Sequence, residues 1–295
     1  MNHPHAGRVP AVDTKSASAV EALIVSKFSA MFPGAGLSWI RGIIRDVNAL
    51  FCGQHPDYAK IDVGYHDLEH TLQATVCLVL LLEGRHAAAV EPRFGPRQFE
   101  LAIAAVLLHD TGYLKLRSDK RGTGAKYTFC HVLRSCAFAA AYLPKYRASR
   151  DEIEEVLGTI NCTGPSTAID RIYFKDASAR TIGCAVATAD YLAQMAAPDY
   201  PDELEILYRE FRESDDFLRT PPAERSYKNA QQLIQHTPVY WEAFVRPRLE
   251  MDFQAVYRFL ARPSLDGPNP YIEAIERNMA TIKGRVAVRR LRMAR

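Results

Sequence analysis

The chain of 295 residues has a formal net charge of +3, with 48% hydrophobic and 24% charged residues, the balance of an ordinary globular protein rather than a disordered or fibrous one. Its length allows one main domain with terminal extensions. Six scattered cysteines (Cys52, Cys77, Cys130, Cys136, Cys162, Cys184) form no C-x-x-C pair, and no apolar run is long enough for a bilayer, so a disulfide scaffold, a zinc finger and a membrane-spanning protein are excluded and a reducing cytoplasm is expected.

In chain order, residues 1–16, with Pro4, Gly7 and Pro10, read as a mobile lead-in. Helical patterning begins near Ser18 and resumes at Ser38 after Pro33-Gly34, which places N-terminal helices over 17–56. From Asp67 the run TLQATVCLVLLLEG is apolar on nearly every side, the mark of a buried helix. QFELAIAAVLLHD repeats that character from Gln98, with Pro96 ahead of it and Gly112 just past its end. Further helices are expected at 127–143, 151–161, 178–195 and 201–213. After Pro221-Pro222 they are expected near 224–236, 238–262 and 270–292. Period-two alternation is almost absent, so the expected fold is an all-α helical bundle. Its main domain would span 57–215, with a C-terminal helical extension over 216–295 packed on the core or on a second subunit. The last twelve residues, GRVAVRRLRMAR, carry five arginines and no acid. The tail lacks aromatics, so a solvated helix end or a subunit contact is the expectation, and a nucleic-acid partner is not.

Three places carry chemistry. His66 and His70 stand four residues apart, on one helix face about one turn, or roughly 6 Å, from each other. Nitrogen donors suit a transition metal, and an unligated histidine can supply a proton near neutral pH. His109-Asp110 closes the run AIAAVLL. Adjacent residues of a regular helix point about 100° apart, so both reach one ion only where the helix ends, and Gly112 provides that exit. A histidine is comfortable at a helix C-terminus, but an aspartate there opposes the dipole unless a cation is near. Asp190 shares a helix face with Ile182 and Val186 and should point inward, where a carboxylate needs either an arginine or a metal.

In this order, His, then His-Asp, then Asp on three apolar helices, the chain resembles the HD superfamily of metal-dependent phosphohydrolases from about Tyr65 to Tyr191. The segment Y-H-D-L-E-H-T is similar to the Y-H-N-x-x-H-A segment of class I cyclic nucleotide phosphodiesterases. The resemblance implies an HD-type bundle in which His70, His109, Asp110 and Asp190 hold a divalent metal (Mg, Mn, Zn or Fe; one or two ions). It makes His66 the general acid and Asp110 a bridging ligand that holds the attacking water. It places His131 against a second metal, whereas Val156 to Cys162 lacks the histidine found there in many relatives and offers Thr159. Tyr240 falls in a stretch, YWEAFVRP, similar to the base-holding segment of the phosphodiesterases, with Thr237 where their glutamine is expected. Lys115, Arg117, Lys120 and Arg121 follow the His-Asp pair and could draw a phosphate, with Gly122 to Lys126 as a flexible, substrate-facing loop.

The expected function is hydrolysis of a phosphate ester (monoester, diester or nucleotide) by metal-activated water. The expected partners are a small phosphorylated substrate and a possible second subunit, with no membrane. Two alternatives remain at this stage: a di-iron oxygenase of the HD type, and a non-catalytic metal-stabilised module that binds a nucleotide or a partner.

Overall fold

The computed structural model describes residues 9, 11–37 and 39–293, without the side chains of 290, 292 and 293. Most of the expected lead-in (residues 1–8 and 10) and the end of the arginine-rich tail lie outside the described residues. Val9 and Val12 pack on the core, and Thr14 donates to Glu69 at 3.2 Å, so the described part of the lead-in lies against the protein.

The helices in chain order are α1 (Ala17–Met31), α2 (Ile40–Phe51), α3 (Leu68–Ala87), α4 (Pro96–Leu108), α5 (His131–Tyr142), α6 (Arg150–Asn161), α7 (Ala177–Ala196), α8 (Tyr200–Leu218), α9 (Ala230–Tyr240), α10 (Arg246–Glu250) and α11 (Pro270–Met293). No strand occurs among the described residues, and Tyr58 and Leu116 form only an isolated antiparallel bridge. The fold is all-α. Local chemistry sets the starts: Ser16, Asp67, Asp176 and Asn229 each cap a helix by accepting a backbone N–H, and Ser149 with Glu152 forms a reciprocal box at α6.

Two expected helices are broken. The 127–143 stretch divides because Gly124–Tyr127 is a 3-10 turn and α5 begins only at His131. The 238–262 stretch divides because Pro247 lacks the N–H that would continue the ladder, so a wide π-type turn at Trp241–Val245 precedes α10. Left-handed Gln254 and Ala255 then start a separate 3-10 turn at Val256–Leu260. Residues 224–229 are outside any helix, and α9 starts at its Asn229 cap.

α3 is central: it packs along α7, α4 and α1, while α7 also lies on α6 and α11. One hydrophobic core runs from Val20 to Ile282, so the N- and C-terminal helices share it with the middle of the chain. Among the described residues no helix is long and apolar enough to cross a membrane.

Candidate metal centre

Three helices of the core bring four side chains to one point. The Asp67 cap fixes the first turn of α3 by accepting the backbone N–H of His70 at 3.0 Å. α4 buries every residue from Phe99 to Leu108 and stops at His109; Asp110 then leaves the helix with φ −106° and ψ 7°. A 3-10 turn, Thr111–Tyr113, follows. Gly112 is required in that turn, since a Cβ there would lie 2.0 Å from the His131 carbonyl oxygen. Ser135 accepts the Gly112 N–H at 2.8 Å, and Arg134 donates to the carbonyls of Gly112 and Leu114. The start of α5 therefore clamps the His-Asp turn from behind.

His70 Nε2 is 3.3 Å from Asp110 Oδ2 and 3.2 Å from Asp190 Oδ1, and His109 Nε2 is 3.3 and 3.4 Å from the same two oxygens. Nitrogen and oxygen thus alternate around a closed ring. All four atoms are buried, and none has a hydrogen-bond partner of good geometry. Leaving a buried polar atom unsatisfied costs about 1–3 kcal/mol each, so four that face one another define a place built for something else. His70, His109 and Asp110 form a buried group that could bind a metal ion, and Asp190 completes the ring.

The tautomers agree with that use. His109 Nδ1 lies 2.7 Å from the Val106 carbonyl oxygen, and His131 Nδ1 2.6 Å from that of Thr128. A carbonyl only accepts, so each Nδ1 carries a proton, and Nε2 is the nitrogen that could face an ion once bare. In the metal-free cluster burial opposes charge on His70, but Asp110 and Asp190 raise its pKa to about 10. His109 is raised in the same way, against its burial, by the two aspartates. Burial alone would push the two carboxyls up, yet His109 and His70 hold Asp110 and Asp190 well below the usual carboxylate range. His131, half-buried with its Nε2 3.7 Å from Asp110 Oδ1, is lowered by desolvation against the opposing pull of Asp110.

His66 does not join the ring but stands beside it, its imidazole 5.6 Å from that of His70 and stacked on Tyr113 at 4.6 Å. Its Nδ1 is 2.5 Å from Glu210 Oε2, while Glu210 Oε1 accepts the Tyr65 N–H at 2.7 Å. Glu210, 3% exposed on α8, is the residue that sequence reasoning missed. The available signal was its place on the row of Leu207 and Ser214, the inward face of α8.

The outer candidates lie elsewhere. Lys115 pairs with Asp62 at 2.8 Å and donates to the Gly122 carbonyl; Lys126 pairs with Asp119 and donates to Arg121, both at 2.5 Å. Both are nine-tenths buried. Their ammonium groups brace the 117–128 loop, which Glu213 also holds through Thr123, so this is neither a flexible loop nor a free phosphate cradle. Thr159 is buried on α6, and no hydrogen bond joins it to the cluster among the described residues. Tyr240 stacks on Phe244 at 4.9 Å beside Tyr191, its phenol pushed up by burial.

Fold and site together define an all-α protein with a buried His/Asp cluster able to hold a metal ion. More particularly, the chain belongs to the Npun_R2479-like family, which matches residues 52–258, a span that includes all four ring residues, His66, His131 and Glu210. No curated protein matches it.

Proposed function

We propose that this chain is a metal-dependent phosphohydrolase of the HD type that hydrolyses a phosphate ester. The observation that carries the proposal is the ring of four orphaned donors with an imidazole, His66, held at its rim by a buried carboxylate. Two imidazoles and two carboxylates suit Mn²⁺, Fe²⁺ or Zn²⁺, and Mg²⁺ with several waters retained. When bound, such an ion supplies Lewis acidity and lowers the pKa of water.

The residues divide the remaining work. His70, His109, Asp110 and Asp190 hold the ion, and Asp110 Oδ1, turned toward His131, is left to orient water. Attack of that water's oxygen on phosphorus breaks the bond to the leaving oxygen, and the proton that the water loses passes to solvent. His66 gives a proton to this oxygen and recovers it from solvent, a contribution of about 10² to 10⁴ in rate. Glu210 fixes the His66 ring so that Nε2, rather than Nδ1, faces the chemistry. A notch of about 100 Å³ beside His70 is lined by Asp67, Glu69, Asp199 and Glu203. Those carboxylates repel an anion, so this notch is not the entry for the phosphate.

The test is turnover of bis(p-nitrophenyl) phosphate and p-nitrophenyl phosphate by Mn²⁺-loaded protein. Release of p-nitrophenol that disappears on chelation is expected. Stoichiometric metal with neither ester hydrolysed would overturn the proposal.

A further inference from the structure

After Ile282, α11 runs on along the surface of the protein, with Val286 still against the core and Arg289 lining a groove with Glu205 and Gln232. The helix buries Tyr271, Ala274, Ile275, Met279 and Ile282, but from Lys283 to Leu291 every residue whose exposure is described is exposed, except half-buried Val286. Gly284, Ala287, Val288 and Leu291 recur at i, i+3, i+4 and i+7 and so form one row along the helix. Val288 is 51% and Leu291 68% exposed, and a Cβ built at Gly284 meets nothing within 4 Å. Arg285 and Arg289 border this apolar row. Arg285 is tied to Asp202 at 2.6 Å, but Arg289 is exposed.

Charge is segregated in the same place. The segment from Gly284 onward contains five arginines and no acid, and the whole chain's +3 less this +5 leaves −2 for the rest. An anionic surface therefore attracts the helix end and not the body. Nucleic acid is a poorer fit, because the segment has no aromatic to stack on a base and an oily row gains nothing against a phosphate backbone.

We infer that the last turns of α11 dock on an anionic bilayer surface. The arginines meet the lipid head groups, and the Ala287, Val288 and Leu291 row settles at the boundary with the acyl chains. This is contact with one leaflet and leaves the metal centre in the aqueous body.

Full-length protein is to be sedimented with phosphatidylcholine vesicles and with vesicles of equal parts phosphatidylcholine and phosphatidylglycerol. Pelleting is expected only with the second, weakening as added salt shortens the screening length. Each arginine replaced should lower partitioning about fivefold, so the triple variant Arg289→Ala, Arg290→Ala, Arg292→Ala should bind about a hundredfold more weakly. Val288→Asp with Leu291→Asp should also release the protein. Circular dichroism melting and metal content should match wild type in both variants. Equal pelleting with neutral vesicles, no pelleting with either, or wild-type pelleting of the arginine variant would overturn the inference. So would either of two results without vesicle binding: loss of a dimer on Val288→Asp, or arginine-dependent capture of a single-stranded oligonucleotide.

Discussion

Protons are the first competitors for the four ring atoms. With no ion between them His70 holds its proton to about pH 10, yet as a ligand it must offer a bare lone pair. Metal uptake at pH 7 should therefore release between one and two protons. Titration calorimetry in buffers of different ionisation enthalpy measures that number directly; zero would mean that His70 is not a ligand. The stability of the metal-free protein has the opposite sign. A raised histidine pKa stabilises fully below its ordinary 6.5, and the benefit is lost as pH climbs toward about 10. The depressed carboxyls of Asp110 and Asp190 stabilise above the usual carboxylate range and lose that contribution as pH falls through their lowered values. Melting temperature of the stripped protein should thus decline from neutral to alkaline pH, while metal affinity rises over the same range. At this scale the two kinds of carboxylate also separate. Asp190→Asn removes a ring oxygen and should empty the site, whereas Glu210→Gln should keep full metal content and lower turnover about 10- to 100-fold, as outer-layer partners do. Loss of metal in Glu210→Gln would show that it supports the ring rather than His66. His70, His109, Asp110 and Asp190 were legible because local pattern marks them: a helix face, a helix end and an inward row. Glu210 was not, being one acid of many in YPDELEILYREFRESDDFL. The pairing of Lys115 and Lys126 is not legible, because nothing near them in sequence announces Asp62 or the turn that brings Asp119 within 2.5 Å of Lys126.

Elements matter through how closely they approach. The His-Asp turn works because the backbone of α5 passes against Gly112, and a methyl group there would sit 2.0 Å from the His131 carbonyl oxygen. Gly112→Ala must push α5 or the turn aside, at a cost in the range of about 1–3 kcal/mol typical of overpacking. Because the turn carries two of the four donors, metal affinity should fall along with melting temperature. Ser135→Ala is the milder probe: it strands the Gly112 N–H but leaves the helices where they are. Were Gly112→Ala to melt and bind metal like wild type, the clamp would have no bearing on the site. Fold class and most helices were legible from apolar periodicity and capping residues. The breaks at 128–130 and 241–255 were not, since those stretches keep helical composition. The first yields to the fixed approach of Gly112 to His131, the second to Pro247.

For the molecule as a whole, the position of the ring decides how much a metal contributes. Its donors come from α3, the end of α4 and α7, which pack on one another in the main core. An ion that joins them binds the native state and not the unfolded chain, and its effect follows mass action: about 2.7 kcal/mol when free metal stands at a hundred times its dissociation constant. For a chain of this size each kcal/mol moves the melting temperature by about 2–4 °C, so loading Mn²⁺ or Zn²⁺ to that level should raise it by roughly 5–10 °C. Asp190→Asn provides the control, because it cannot complete the ring and should melt at one temperature with or without metal. A wild type whose melting point ignores metal at saturating concentration, while Asp190→Asn behaves identically, would place any bound ion outside the core and remove the physical basis for the hydrolase.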